Sequence, residues 1–403
     1  MREWKTCKLS EIGEIVGGAT PSTKNPNFYD GEIPWITPKD LTNWSSMYIS
    51  KGERSITKAG YDSASCKMMP KGSVLFTSRA PIGYIAIAAN EVCTNQGFKS
   101  VVPNTDLIDS QFLYYSLIFN KNKIIAMGSG TTFAEISGKV MASVEITLPP
   151  LVIQKKIAAQ LAEIDNKIAV NKKICENLEA QAQALFKHWF VDFAPFKDGN
   201  FVESELGLIP EGWRVETLGD IAELRKPSIK PQNNILYTHY SIPAFDNNKK
   251  PSIDEGSTIK SNKFGINDGA VLLSKLNPST KRIWYTGNVP EHSVSSTEFL
   301  PFYSKNKEFT PFIYYYLNCD SNYREIANGA KGTTNSHQRI DANSILTRGL
   351  AYSEDVIRKF CDCSQYLMEL ILEANQESSR LASLRDTLLP KLMSGEIKVG
   401  DVK

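Results

Sequence analysis

Histidine is scarce in this chain of 403 residues, and the motifs that depend on it are missing. The four histidines (His188, His239, His292, His337) are dispersed, with no HExxH or HxH arrangement to seat a metal ion. Seven cysteines (Cys7, Cys66, Cys93, Cys175, Cys319, Cys361, Cys363) make an odd number without a CxxC pair. That spacing argues against a disulfide framework and a paired-ligand zinc site, and leaves Cys361 and Cys363 as reduced thiols on a helix. Long apolar runs are also lacking. The longest, Ile82 to Ala89, is interrupted by Gly83 and Tyr84 and falls far short of a membrane span. Met1-Arg2-Glu3-Trp4-Lys5 has no apolar signal-peptide core, so a cytoplasmic location and no membrane partner are expected.

Catalytic signatures are absent as well. A phosphate-binding loop needs GxxxxGK[ST], and neither Gly128-Ser129-Gly130-Thr131-Thr132 nor Gly329-Ala330-Lys331-Gly332-Thr333-Thr334 places a lysine correctly. No GxGxxG follows a strand pattern. The adenine-methylating tetrapeptide is missing, and Asn25-Pro26-Asn27-Phe28 is a poor substitute. A nuclease-like Glu-x-Lys occurs only at Glu396-Ile397-Lys398, without an upstream Pro-Asp. No catalytic residue, metal site or cofactor is therefore assigned to this chain. Charge of one sign is lacking too: 46 Lys+Arg face 44 Asp+Glu, a formal net charge of +2. Strongly basic nucleic-acid binders usually lie well above this balance.

What the sequence does contain is a repeat. Trp4-x4-Leu9-x2-Ile12-x-Glu14 returns as Trp213-x4-Leu218-x2-Ile221-x-Glu223. Gly72-Ser73-Val74-Leu75-Phe76-Thr77-Ser78-Arg79 returns as Gly269-Ala270-Val271-Leu272-Leu273-Ser274-Lys275. Phe112-Leu113-Tyr114-Tyr115 matches Phe312-Ile313-Tyr314-Tyr315, and Gly130-Thr131-Thr132 matches Gly332-Thr333-Thr334. The order is kept, which makes the chain a tandem duplication of about 200 residues.

Each half opens with short β-like runs broken by turn residues and ends in a long helical pattern. In the first, Ile157, Leu161, Ile164, Ile168, Asn171, Cys175, Leu178, Ala182, Leu185 and Trp189 hold a 3.5-residue period over more than four heptads. The same frame, more patchily filled, gives Phe360, Ser364, Leu367, Ile371, Ala374, Ser378, Leu381, Arg385, Leu388 and Leu392. Pro149-Pro150 stands before the first helix, and Pro390 is expected to kink or end the second near its last turn. One helix leaves the first globular part and the other must run back. An antiparallel coiled coil follows, with a globular part at each end and a pseudo-twofold axis between them. Residues 151–190 would span ~60 Å. The fold class is thus α+β, with boundaries at 1–149, 150–199, 200–350 and 351–403.

Several turns carry groups suited to DNA. Thr77, Ser78 and Arg79 close one strand, and Ser274 and Lys275 close its counterpart. Asn95-Gln96 places two amides beside Gly97, and such amides can pair bidentately with adenine. Gly130, Thr131, Thr132, Thr333, Thr334 and Asn335 offer backbone N–H groups and hydroxyls of the kind that hold phosphate. An ordinary polar turn or strand end explains each one singly; recurrence in both halves brings the functional reading level with that one. Trp4 and Trp35 read as packing residues rather than base-stacking ones.

Longer strings now resemble a known family, the DNA-specificity subunits of type I restriction–modification enzymes. They include Gly31-x-Ile33-Pro34-Trp35-Ile36, the block Gly72 to Gly83, Asn95-Gln96-Gly97-Phe98, and Leu148-Pro149-Pro150-Leu151 with Gln154-Lys155-Lys156-Ile157. The most specific are Leu185-Phe186-Lys187-His188-Trp189-Phe190-Val191-Asp192-Phe193, then Ser204-Glu205-Leu206-Gly207-x-Ile209-Pro210-x-Gly212-Trp213, and Leu388-Leu389-Pro390-Lys391-Leu392-Met393-Ser394-Gly395-Glu396-Ile397. The resemblance implies two target recognition domains, each reading one half of a split, asymmetric site in double-stranded DNA. It implies helices that set the gap and dock two modification subunits, and restriction subunits that join the complex. S-adenosylmethionine, ATP and Mg²⁺ would then belong to those partners. The second domain departs from the pattern, lacking Pro-Trp-Ile and carrying Ser274-Lys275-Leu276-Asn277-Pro278, so the two domains should read different sequences. Two rivals stand beside this reading: a self-contained DNA methyltransferase, which lacks its motifs here, and a coiled-coil scaffold without a DNA role.

Overall fold

The structure of the chain, a computed structural model, describes residues 4–42, 44, 46–79, 81–128, 134–330 and 338–399. Two compact units emerge: 1–172 with 376–403, and 173–375. Both long helices are shared between them.

In the first unit, Gly13–Gly17, Lys99–Pro103, Val74–Phe76, Ile85–Ala88 and Tyr48–Ile49 form a five-stranded sheet in that order. The first four strands pair antiparallel and the last joins in parallel. A smaller sheet sets Tyr29–Ile36 between Ser55–Ile56, antiparallel, and Cys93–Thr94, parallel. Lys5–Lys8 pairs with Glu145–Leu148 and closes the globular part. Ser110–Phe119 covers the larger sheet, capped by the Asp109 carboxylate, which accepts the Phe112 N–H. Its Phe112, Leu113, Tyr115 and Leu117 are fully buried against Val74, Phe76, Ile87 and Val101.

The second unit repeats the central motif. Ala222–Leu224, Phe299–Ser304, Val271–Ser274 and Ile283–Tyr285 form an antiparallel sheet in the order of their first-unit counterparts. Arg214–Thr217 pairs with Gly349–Tyr352, as Lys5–Lys8 does with Glu145–Leu148. The second sheet has five strands here, with Leu236–Tyr240 between a parallel and an antiparallel neighbour.

The sequence matches have local causes. Gly72 and Gly269 sit at φ +89° and +76°, a left-handed turn that glycine takes without steric cost, two residues before the matched strands begin. In the Trp-x4-Leu-x2-Ile strings, Leu9 with Ile12 and Leu218 with Ile221 bury one face of a single helical turn. Glu11 accepts the Lys8 N–H at 2.7 Å and Asp220 accepts the Thr217 N–H at 2.8 Å, supplying the start of each turn.

The long helices run over Leu151–Phe190 and Glu354–Ser394. Every seam position predicted in either helix is buried or half-buried. Within each unit the two helices are antiparallel. In the first, Arg385 Nη1 donates to Asp165 Oδ1 at 2.7 Å and Asn171 Nδ2 to Glu377 Oε2 at 2.5 Å. In the second, Cys175 Sγ lies 3.7 Å from Ile371 O, and the Phe186 and Phe360 rings stand 5.6 Å apart. Pro390 is inside the second helix near its end; the helix stops at Ser394, followed by Gly395 at φ +74°.

Each globular part is tied to the first helix. Gln154, buried beside Pro149-Pro150, donates to Leu107 O and Pro149 O and accepts the Asp109 N–H. Tyr115 OH donates to Asp165 Oδ2 at 2.7 Å, which completes a Tyr115–Asp165–Arg385 chain. In the second unit Glu179 accepts from Tyr314 OH at 3.0 Å and Asn318 Nδ2 at 2.7 Å. The Phe186-to-Phe193 string is an aromatic anchor: Phe190 meets Phe312, Phe360 and Trp213 at ring distances of 5.0, 5.4 and 5.9 Å. Trp35 is buried with its indole N–H on Ala19 O, and Trp4 packs against Gly395. All seven cysteines are free, Cys361 and Cys363 on the second helix.

Candidate nucleic-acid interface

The strand Val74–Phe76 runs into Thr77-Ser78-Arg79, and the fold decides which of these side chains faces outward. Thr77 is fully buried. Its hydroxyl donates to Pro81 O at 2.7 Å and accepts the Tyr84 N–H at 2.8 Å, clamping the turn that follows. Ser78 is buried too; its N–H donates to Gly97 O at 2.7 Å and its carbonyl accepts the Ile136 N–H at 2.9 Å. Its hydroxyl meets no partner among the described residues. Asn95 folds back, its Oδ1 accepting the Gly97 N–H at 2.9 Å, and its own N–H reaches Ile36 O. Gln96 is exposed and accepts the Thr20 hydroxyl.

Arg79 reaches outward. Its guanidinium lies 3.7 Å from Glu135 Oε2, and Lys99 Nζ lies 3.7 Å from Glu135 Oε1. Arg79 and Glu135 are 38% and 40% exposed, open enough to exchange partners. Thr20, Arg79, Asn95-Gln96, Lys99 and Glu135 thus converge from separate stretches of chain.

The second unit uses the same backbone scheme. Ser274 is buried, its N–H on Arg282 O and its hydroxyl on Leu276 O. Lys275 N–H donates to Glu298 O at 2.9 Å and its carbonyl accepts the Ile340 N–H at 3.0 Å. Lys275, Glu298 and Ile340 therefore stand where Ser78, Gly97 and Ile136 stand in the first unit. The side chains differ: here Arg339 pairs with Glu298 through two contacts of 3.2 Å, which raises the guanidinium pKa further. Gly130, Thr131, Thr132, Thr333, Thr334 and Asn335 lie outside the described residues.

Chemically, the arrangement is a stiff backbone frame that presents a few polar groups. Arginine can take guanine O6/N7, and a glutamine amide can take adenine. Thr20, Lys99, Glu135, Glu298 and Arg339 were missed from sequence. A usable signal existed: Glu135-Ile136 and Arg339-Ile340 follow the two Gly-Thr-Thr strings at comparable distance. Among the described residues no group of His, Cys, Asp or Glu is placed to hold a metal ion, and no helix is long and apolar enough to cross a membrane.

The family described as the type I restriction modification DNA specificity domain matches residues 1–180 and 210–342. The type I restriction enzyme MjaIX specificity subunit of Methanocaldococcus jannaschii is 36% identical over 421 residues, covering 100% of this chain and 95% of that protein. The HindI specificity subunit of Haemophilus influenzae is 23% identical over 483 residues, covering 98% and 100%. Among solved structures, the S subunit of a type I restriction–modification system from M. genitalium superposes with a TM-score of 0.58 at 16% identity, covering 97% of this chain and 96% of that one.

Proposed function

The chain belongs to the family of type I restriction–modification DNA-specificity subunits, and from that premise we propose that it reads a bipartite, asymmetric site in double-stranded DNA. Residues 1–149 read one half and 200–350 the other. The long helices, in 150–199 and 351–403, set the gap and dock two modification subunits, with restriction subunits completing the complex. The chain is the non-catalytic member. S-adenosylmethionine, ATP and Mg²⁺ act on its partners.

One observation carries this reading. The same backbone hydrogen bonds brace the loops in both units, from Ser78 to Gly97 and Ile136 and from Lys275 to Glu298 and Ile340, yet the side chains around them differ. A shared frame with unlike side chains suits two readers of unlike sequences. On this reading Arg79, Gln96 and Lys275 meet the duplex. Thr77, Ser78, Asn95 and Ser274 act by fixing loop shape, and the Gly-Thr-Thr segments with Asn335 hold phosphate.

Exchange of residues 1–149 for the first domain of another family member tests the assignment. Mapping of methylated adenines should show one half-site changed and the other kept. Change in both halves, or in neither, would overturn it.

A further inference from the structure

Both candidate interfaces contain an arginine held by a glutamate, and the two pairs are built from different positions. In the first unit the carboxylate comes from Glu135, in the segment that meets Ser78, and it faces Arg79 and Lys99 at 3.7 Å each. In the second, the corresponding segment supplies the arginine, Arg339, and the carboxylate comes from Glu298, where the first unit has Gly97. Duplication of one ancestral pair would have kept the positions. Arrival at the same pairing from opposite sides points to a requirement of the loops themselves.

We propose that Glu135 and Glu298 are specificity determinants: each neutralises the cationic side chains of its own reading loop, so that unrelated DNA is held weakly. The inference rests on the DNA-reading function above. Phosphate contacts supply nearly all non-specific affinity, and an unopposed arginine takes phosphate on any sequence. A carboxylate beside it cancels that attraction and repels the phosphate. A guanine edge, which presents two acceptors in fixed geometry, still competes for the guanidinium. Arg79 with Glu135, at 38% and 40% exposure, and Arg339 with Glu298, at 48% and 28%, are open enough for such an exchange. Glutamate thereby trades overall affinity for discrimination.

The test uses the complex with its modification subunits, carrying Glu135→Gln or Glu298→Gln, which keep side-chain size. Binding to random duplex and to the methylated site's own sequence is measured across a salt series. Random-duplex affinity should rise about threefold to tenfold, with a log–log salt slope steeper by up to about one. Affinity for the proper site should change less. Relaxed methylation should appear only in the first half-site for one variant and only in the second for the other. Adding Arg79→Gln to Glu135→Gln should remove most of the gain. Unchanged or weaker random-duplex binding, with melting temperatures preserved, overturns the proposal alone. A parent complex that binds neither duplex overturns the DNA-reading function beneath it.

Discussion

Asn171 shows what a single seam residue contributes. It is 2% exposed, and its amide donates to Glu377, which also faces Lys167 at 3.4 Å. That hydrogen bond, more than the lysine, holds the Glu377 carboxyl below the usual range. A buried amide in a coiled-coil seam fixes register at some cost in stability. Asn171→Leu should therefore stabilise by about 1 kcal/mol and raise the melting temperature by about 2–4 °C, because the exposed Glu377 keeps its lysine and water. A depressed carboxyl pKa stabilises the native state above the ordinary carboxylate range and ceases to do so as pH falls. The gain should thus widen in acid. Thermal melts at neutral pH and at a pH below the ordinary carboxylate range check both points, and an unchanged or lower melting temperature would show that the amide stabilises outright. Periodicity made the Asn171 position legible. Its partner, 206 residues away, was not.

At the scale of elements, the helices were the most readable part of the chain, since a 3.5-residue period depends only on neighbours in sequence. Even the positions that break the pattern have a structural use. Arg385, an unpromising seam residue, is half-buried and bonded to Asp165, which in turn binds Tyr115. The loops were far less readable. Thr77 looks like an available hydroxyl until the chain closes over it, and Arg79 finds Glu135 only after the fold brings the two segments together. Whether a polar turn residue points out or in is a tertiary property that local sequence does not encode. The helices also carry a prediction. If they set the gap, inserting one heptad into both at matched points keeps the seam in frame and adds ~10 Å. The preferred spacing between half-sites should then lengthen by up to about three base pairs, since base pairs stack every ~3.4 Å. Methylome mapping of the variant reads this directly. An unchanged gap would mean that the helices join the domains without measuring the distance between them.

For the whole molecule, the near-neutral charge is the property that most needs reconciling with DNA. Residues 1–149 carry 15 basic and 13 acidic groups, and residues 200–350 carry 17 and 16. Neither proposed reader is a basic domain. The ion pairs described above lower the effective charge of the loops further, because Arg79, Lys99 and Arg339 all face glutamates. A protein built this way should have little phosphate grip of its own, and the proposed discrimination would then need grip from elsewhere. The modification subunits are the proposed source, clamping the duplex while this chain selects the sequence. The isolated chain should accordingly bind even its proper site weakly, with a shallow salt dependence, whereas the complex should bind tightly with a steep one. Salt titrations on the chain alone and on the complex, with the same duplex, give the two slopes. Similar slopes and affinities would mean that the grip resides in this chain after all, in phosphate contacts that its balanced charge conceals.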